Sequence, residues 1–423
     1  MADPTVDVLG PVTDLYRDLH QHPELSGQER RTAGRLAQWL DSAGYEVTRN
    51  VGGHGVVGLL RSGEGPTVLL RADLDALPVA EATGLPYASR EFAAGPDGQQ
   101  RPVMHACGHD IHVACLAGAA VLLAEAADRW RGTVMVVGQP AEETLSGAEA
   151  MLRDGLYRRF GKPDIALAQH VCPLPAGLIA HARGPVTGAS AAVRIVVHGR
   201  GGHAAAPHLA VDPVLTAASA VVRLQSVVSR ESNPSEPLVL TVGSFHAGDV
   251  GNVIPDSATL ELSVRAFSDA AVDRALAAVD RIVSAECAAA ACPAEPEITV
   301  VSRAAVNIND RSLAAVVRAA HEADAGPSAV VPLSPSSASE DFPFFGAAGT
   351  HLYDGPAVPT VYWMFGGTSE RDWAAAGGSS FHEKLASVPA NHSPAYAPDP
   401  EPTLRMGIRA MTSAALACLD GVG

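Results

Sequence analysis

The chain has 423 residues, too many for one ordinary compact core and enough for roughly two domains. Hydrophobic residues make up 47% and charged residues 18%, which excludes a disordered chain. Acidic residues outnumber basic ones by 46 to 30, and the resulting formal charge of −16 excludes nucleic acid as the main partner.

The start, Met1-Ala-Asp-Pro-Thr-Val-Asp7, lacks the basic residues and apolar run of a signal peptide. No apolar stretch approaches the roughly 20 residues that span a bilayer. Six cysteines (Cys107, Cys115, Cys172, Cys287, Cys292 and Cys418) are too sparse for a disulfide scaffold and fit a reducing compartment. A cytoplasmic protein with no membrane partner is expected.

In chain order, Thr67 to Arg71 reads as a buried strand, followed by the turn-rich Asp73-Leu-Asp-Ala-Leu-Pro78. Ile111 to Ala127 reads as a helix, Thr133 to Val137 as a strand, Gly147 to Arg153 as a short helix and Ile165 to Ala168 as a strand. This alternation predicts an α/β domain whose mixed, mostly parallel sheet is flanked by helices. The pattern then changes. Strands at Ala192 to Val197, Leu238 to Phe245, Ala258 to Ala266 and Ile298 to Val301 frame helices at Asp212 to Ser229 and Ser268 to Ala291. That order, β-α-β-β-α-β, is the ferredoxin-like α+β unit. It predicts a domain at 186–303 inserted into a first domain formed by 1–185 and 304–423. After Asn307 the α/β pattern resumes, with a helix at Arg311 to Ala323, a surface loop at Pro332 to Ser339, a strand at Thr360 to Met364 and a helix at Glu401 to Leu419.

Met104-His-Ala-Cys-Gly-His-Asp-Ile-His112 places three histidines, a thiol and a carboxylate at the mouth of a helix. Cys and His are preferred ligands of zinc-like ions, and the glycine lets both side chains turn to one point. Taken singly, Cys107 reads as a small buried hydrophobe; the cluster does not. Gln139-Pro-Ala-Glu-Glu143, His170 and Asn391-His392 supply further donors. Adjacent carboxylates repel each other in a pocket unless a cation lies beside them, so one can ligate while its neighbour acts as a base. Asp73 and Asp75, at i and i+2, point the same way, and Asp75 could hold a metal-bound histidine by its second nitrogen.

Those segments, with Arg71-Ala-Asp-Leu-Asp-Ala-Leu-Pro78, Gly199-Arg-Gly-Gly-His203, Pro207-His208, Asn252-Val-Ile-Pro-Asp256 and Ser339-Glu-Asp-Phe342, resemble the amidohydrolase branch of the aminoacylase and carboxypeptidase metallopeptidase family. That branch holds bacterial hippurate hydrolases, N-acyl-amino-acid amidohydrolases and plant indole-acetyl-amino-acid hydrolases. The match runs in order from about His20 to the C-terminus. The resemblance implies two divalent ions per subunit, zinc or manganese before cobalt or nickel. It makes Cys107 the bridging ligand, with Glu143 and His392 completing one ion and His109 and His170 the other. It makes Glu142 the general base and implies an N-acyl amino acid or related amide as substrate. In the inserted domain, which it casts as a lid and dimerisation domain, His203 resembles the residue that reaches a partner's site to stabilise the oxyanion. Asn252 and Arg265 resemble groups that grip the substrate, and a homodimer or higher homo-oligomer is implied.

Thr144-Leu-Ser-Gly147, Ile111 and Gly248-Asp-Val-Gly251 depart from the branch's usual pattern and bear on acyl and amine preference. Alternative readings are a dipeptidase or carboxypeptidase on the same fold, a cysteine hydrolase using Cys107 with His109 or His105, and a non-catalytic binding protein. The thiol enzyme gives Glu142, Glu143, His170 and His392 no purpose, and the binding protein gives Glu142 none.

Overall fold

The computed structural model describes residues 5–420. They form two compact units. One holds the chain up to Val186, Ile308–Ser334 and the chain from Asp341; the other holds Thr187–Asn307 and Pro335–Glu340.

The first unit is built on an eight-stranded sheet. Its order is Glu46–Val51, Gly55–Ser62, Gly132–Gln139, Thr67–Asp73, Ile165–Pro175, Thr360–Thr368, Ile179–His181 and Val330–Pro332. The central pairings are parallel, antiparallel pairs flank them, and the edge pair of Ile179–His181 with Val330–Pro332 is parallel again. Central strands covered on both faces read as continuous apolar runs, as in Val134–Val137 and Val361–Phe365, all fully or nearly fully buried. The helix His109–Glu125 is buried almost all round because the sheet lies on one side and the helices Val6–Gln21 and Pro400–Leu419 on the other. Gly118 permits the crossing with Pro400–Leu419: a Cβ there would lie 2.7 Å from Ile408 Cδ1.

One strand end and the N-terminal elements differ from expectation. The third parallel strand runs to Pro175 and not to Ala168, because Thr360–Thr368 continues to pair with it and sets Met364 opposite His170. His170 therefore stands on the strand, not after it. The helices Val6–Gln21 and Arg30–Ser42 and the hairpin Glu46–Ser62 precede the first strand that was expected.

The second unit has a four-stranded antiparallel sheet in the order Leu238–His246, Ser257–Ala266, Ala189–His198 and Glu297–Ala304. The helices Pro213–Ser226 and Asp269–Ala289 cover one face around Val193, Ile195, Leu260, Leu262, Val279 and Val283. Asp212 caps the first helix by accepting from Val214 N and Leu215 N, with Pro213 at the first helical position. Pro335–Glu340 lies against this sheet: Gly188 N donates to Ala338 O at 2.9 Å, and Ser339 Oγ to Ser190 Oγ at 2.7 Å.

Candidate metal centre

Three chain segments of the first unit meet where the sequence placed its donors. Cys107 and His109 flank Gly108, whose φ of +84° turns the loop into the helix that begins at His109. A Cβ on Gly108 would lie 2.4 Å from Val171 Cγ1, so glycine also lets this loop reach the strand carrying His170. Cys107 Sγ is 3.5 Å from His170 Nε2. His392 enters from the loop before the last helix with φ +71°, and its backbone N–H donates to Ala106 O at 2.7 Å. A fourth segment, Gln139–Glu143, brings the paired carboxylates and also holds a strained residue, Ala141 at φ +52°. Left-handed conformations at two non-glycine residues on these loops mark a backbone held by its surroundings.

The donor atoms fall into overlapping sets. Cys107, His109 and His170 form one triad, and Cys107, Glu143 and His392 another; Cys107 is common to both. Glu142 and Glu143 form a third set with His109, whose Nε2 lies 3.8 Å from Glu142 Oε2 and from Glu143 Oε1. His392 Nε2 lies 3.4 Å from Glu143 Oε1. His109 Nε2 and Glu143 Oε1 are buried and have no hydrogen-bond partner among the described residues. Buried lone-pair atoms without partners are what a cation would satisfy, and thiolate, imidazole and carboxylate are a recognised donor set for divalent ions. The residues present therefore fit a two-ion centre.

The electrostatics favour the ligating form at one donor, His170, and oppose it at Cys107 and His109. Burial, and then Glu143, push the Cys107 thiol above its ordinary range. Burial would lower His109, but Asp73 and Cys107 outweigh it and hold the ring well above its usual value. Burial, with His112 beside it, keeps His170 neutral, as a ligand must be. His170 Nδ1 donates to Val171 O at 2.7 Å, which leaves the Nε2 lone pair facing Cys107.

Asp75 differs from expectation in detail. The hydrogen bond from His109 Nδ1 goes to the backbone O of Asp75 at 2.9 Å, with the carboxylate at 3.4 Å. The carboxylate instead accepts from Ser26 Oγ at 2.6 Å and from Glu143 N at 2.9 Å. One residue thus orients a histidine through its main chain and a carboxylate loop through its side chain. Glu29, which carried no sequence signal, holds the same loop by accepting from Ala141 N at 2.8 Å.

Asp73 lies beside His109 as well, with its Oδ2 3.7 Å from His109 Nε2. It pairs with His112 Nδ1 at 2.5 Å and with the buried Arg71 at 2.7 Å. Arg71 also donates to Gln139 and Asp341, and Asp341 accepts from Ala148 N. His112 Nε2 accepts from Val171 N at 2.8 Å, so this third histidine of the cluster supports the backbone beside His170. His105 is buried with neither nitrogen hydrogen-bonded among the described residues, and burial lowers its pKa to about 4. Asp110 pairs with His20 at 2.6 Å.

The remaining candidates lie in the second unit. His203 sits on a two-residue strand opposite Val253, and Ala204 N donates to Asn252 O, so His203 and Asn252 are neighbours. Both are exposed. Arg265 lies on an inner strand, not a sheet edge, and its guanidinium donates to Ser337 O at 2.7 Å and to Ser339 Oγ at 3.3 Å.

Residues 69–384 match the model of peptidase family M20/M25/M40. An N-acetyl-L-cysteine deacetylase of Bacillus subtilis is 35% identical over 371 residues, 85% of this chain and 81% of the relative. A hippurate hydrolase of Campylobacter jejuni is 40% identical over 266 residues, 62% of this chain and 66% of the relative. The solved structure of a dinuclear metal-binding peptidase from Bacillus subtilis superposes with a TM-score of 0.75 at 27% identity, covering 98% of this chain and 99% of that one.

Proposed function

Because this chain belongs to peptidase family M20/M25/M40 and is a hydrolase of its amidohydrolase branch, we propose that it cleaves an N-acyl amino acid into a carboxylate and an amino acid. The observation that carries this reading is that Cys107 is shared by two donor triads while Glu142 stands, nearly buried, beside both. In this reading Cys107, Glu143 and His392 hold one ion and Cys107, His109 and His170 the other. The ions supply Lewis-acid polarisation of the amide carbonyl and lower the pKa of an attacking water. Glu142 removes the proton of that water and delivers it to the leaving nitrogen. Asp75 keeps His109 and the Glu142–Glu143 loop in register. His203, reaching across a homodimer, donates to the carbonyl oxygen as it gains charge. Asn252 and Arg265 grip the amino-acid end, with the Arg265 guanidinium suited to a carboxylate.

Zinc or manganese is the proposed ion, since a thiolate donor favours zinc. The exposed Leu215, Val222 and Val239 of the inserted unit support a homodimer. Six unpaired thiols support a cytoplasmic location.

The test is a hydrolysis panel of acetyl, aliphatic and aromatic acyl amino acids, run on ion-free protein reloaded with each divalent ion. Reloading should restore turnover on at least one acyl class. Glu142→Gln should lose about 10²–10⁴-fold in kcat while binding the same number of ions. Full turnover in that variant, or in the ion-free protein, would remove the reading.

A further inference from the structure

Asn391 precedes His392, and its side chain makes contacts that no ligand assignment requires. Its Nδ2 lies 3.0 Å from Cys107 O, 3.2 Å from Val171 O and 3.9 Å from Cys107 Sγ. Two main-chain carbonyls can be met only by an NH2 group, so the chemistry of the acceptors fixes which way the amide points. The Val171 O it holds is the oxygen that also takes the Nδ1 proton of His170. The His392 backbone N–H holds Ala106 O. Residues 391–392 therefore bind the Cys107 loop and the His170 strand together, although Asn391 is 284 and 220 residues away from them along the chain.

We propose that Asn391 is a positioning residue of the two-ion centre: its amide sets the separation of the three segments that carry Cys107, His170 and His392. This rests on the ligand reading above. Asn391 touches no reacting atom. It clamps two carbonyls whose spacing fixes where the sulfur and the His170 ring stand, and its backbone at the His392 junction holds φ +71° at the next residue. A hydrophobic side chain of similar size would fill the space and leave both carbonyls without this donor.

The experiment uses the full chain, stripped of ions and titrated with Co²⁺ and Zn²⁺. It reads ion stoichiometry, ion affinity and the thiolate-to-cobalt charge-transfer absorption. Wild type should bind two ions per chain and show that absorption, and Cys107→Ala should lose it. If wild type binds no ion, or Cys107→Ala keeps the band, the ligand reading itself fails. With that reading intact, Asn391→Leu should weaken ion binding about 10–100-fold and shift or diminish the band. Its ion-free melting temperature should stay close to wild type. Asn391→Ser, which keeps a donor too short to reach both carbonyls, should fall between the two and carries the test if the leucine variant does not fold. Wild-type affinity and an unchanged band in a folded variant would overturn the proposal.

Discussion

Gly108 is the residue on which the centre's compactness turns, because both its dihedral angle and the 2.4 Å gap to Val171 Cγ1 exclude a side chain. Gly108→Ala should cost about 1–3 kcal/mol and lower ion affinity in the same variant, read by thermal melting and ion titration. Around it, the residues most legible in the sequence were those crowded into one motif: Cys107 and His109 stood out through spacing and residue type. His170 and His392 carried little signal alone, because a lone histidine in a strand or loop has many structural uses. Asn391, Glu29 and Arg71 were not legible as partners at all. Their contacts are long-range hydrogen bonds to backbone atoms or to other buried polar groups, which no local pattern encodes.

At the scale of elements, apolar runs and helix periodicity located about half of the described strands and α-helices, chiefly the long ones, and missed the N-terminal elements and the short strands. The helix Val6–Gln21, outside the elements read from the sequence, contains Gly10 and Pro11, and Pro11, at its sixth position, lacks the N–H that would bond to the carbonyl of Asp7. The strand at Ile165 ran on through polar Gln169 and His170 because pairing, not side-chain pattern, decides where a ladder stops. A buried histidine pair joins two other elements. His181 Nε2 and His321 Nδ1 are 2.8 Å apart, with His321 Nε2 donating to Ala410 O. Burial keeps both rings neutral, so with Nε2 donating, His321 Nδ1 accepts from His181 Nε2. Burial lowers His181 to about 3 and His321 to about 4, against an ordinary value of 6.5. A base whose folded pKa is depressed leaves stability intact above 6.5. Below that the unfolded chain takes up protons that the folded chain refuses, and stability falls until about pH 3–4. Melting temperature should therefore drop as pH is lowered from about 7 to 5. His181→Gln, which keeps the donor to His321, should make the drop shallower; an unchanged slope would show that the pair does not contribute.

The two units have separate cores: among the described residues the first holds two large apolar clusters and two smaller ones, and the second holds one. The β-α-β-β-α-β order made the inserted unit legible. The attachment of Pro335–Glu340 to it was not, since that segment joins by hydrogen bonds far from its place in the chain. Leu260→Ala, in the inserted core, should cost about 2–5 kcal/mol and leave ion stoichiometry at its wild-type value. Excess chelator should abolish turnover and lower the melting temperature, and returning an ion at a hundredfold excess over its Kd should restore about 2.7 kcal/mol. The donor groups also sit on both sides of the inserted unit in the chain, with His392 on the loop that leads into the last helix. A ribosome making this protein delivers Cys107, His109, Glu143 and His170 early and His392 only near the end. The nascent chain thus holds all of one donor triad through more than half of its synthesis, and the other is complete only when the loop ahead of the final helix has been made.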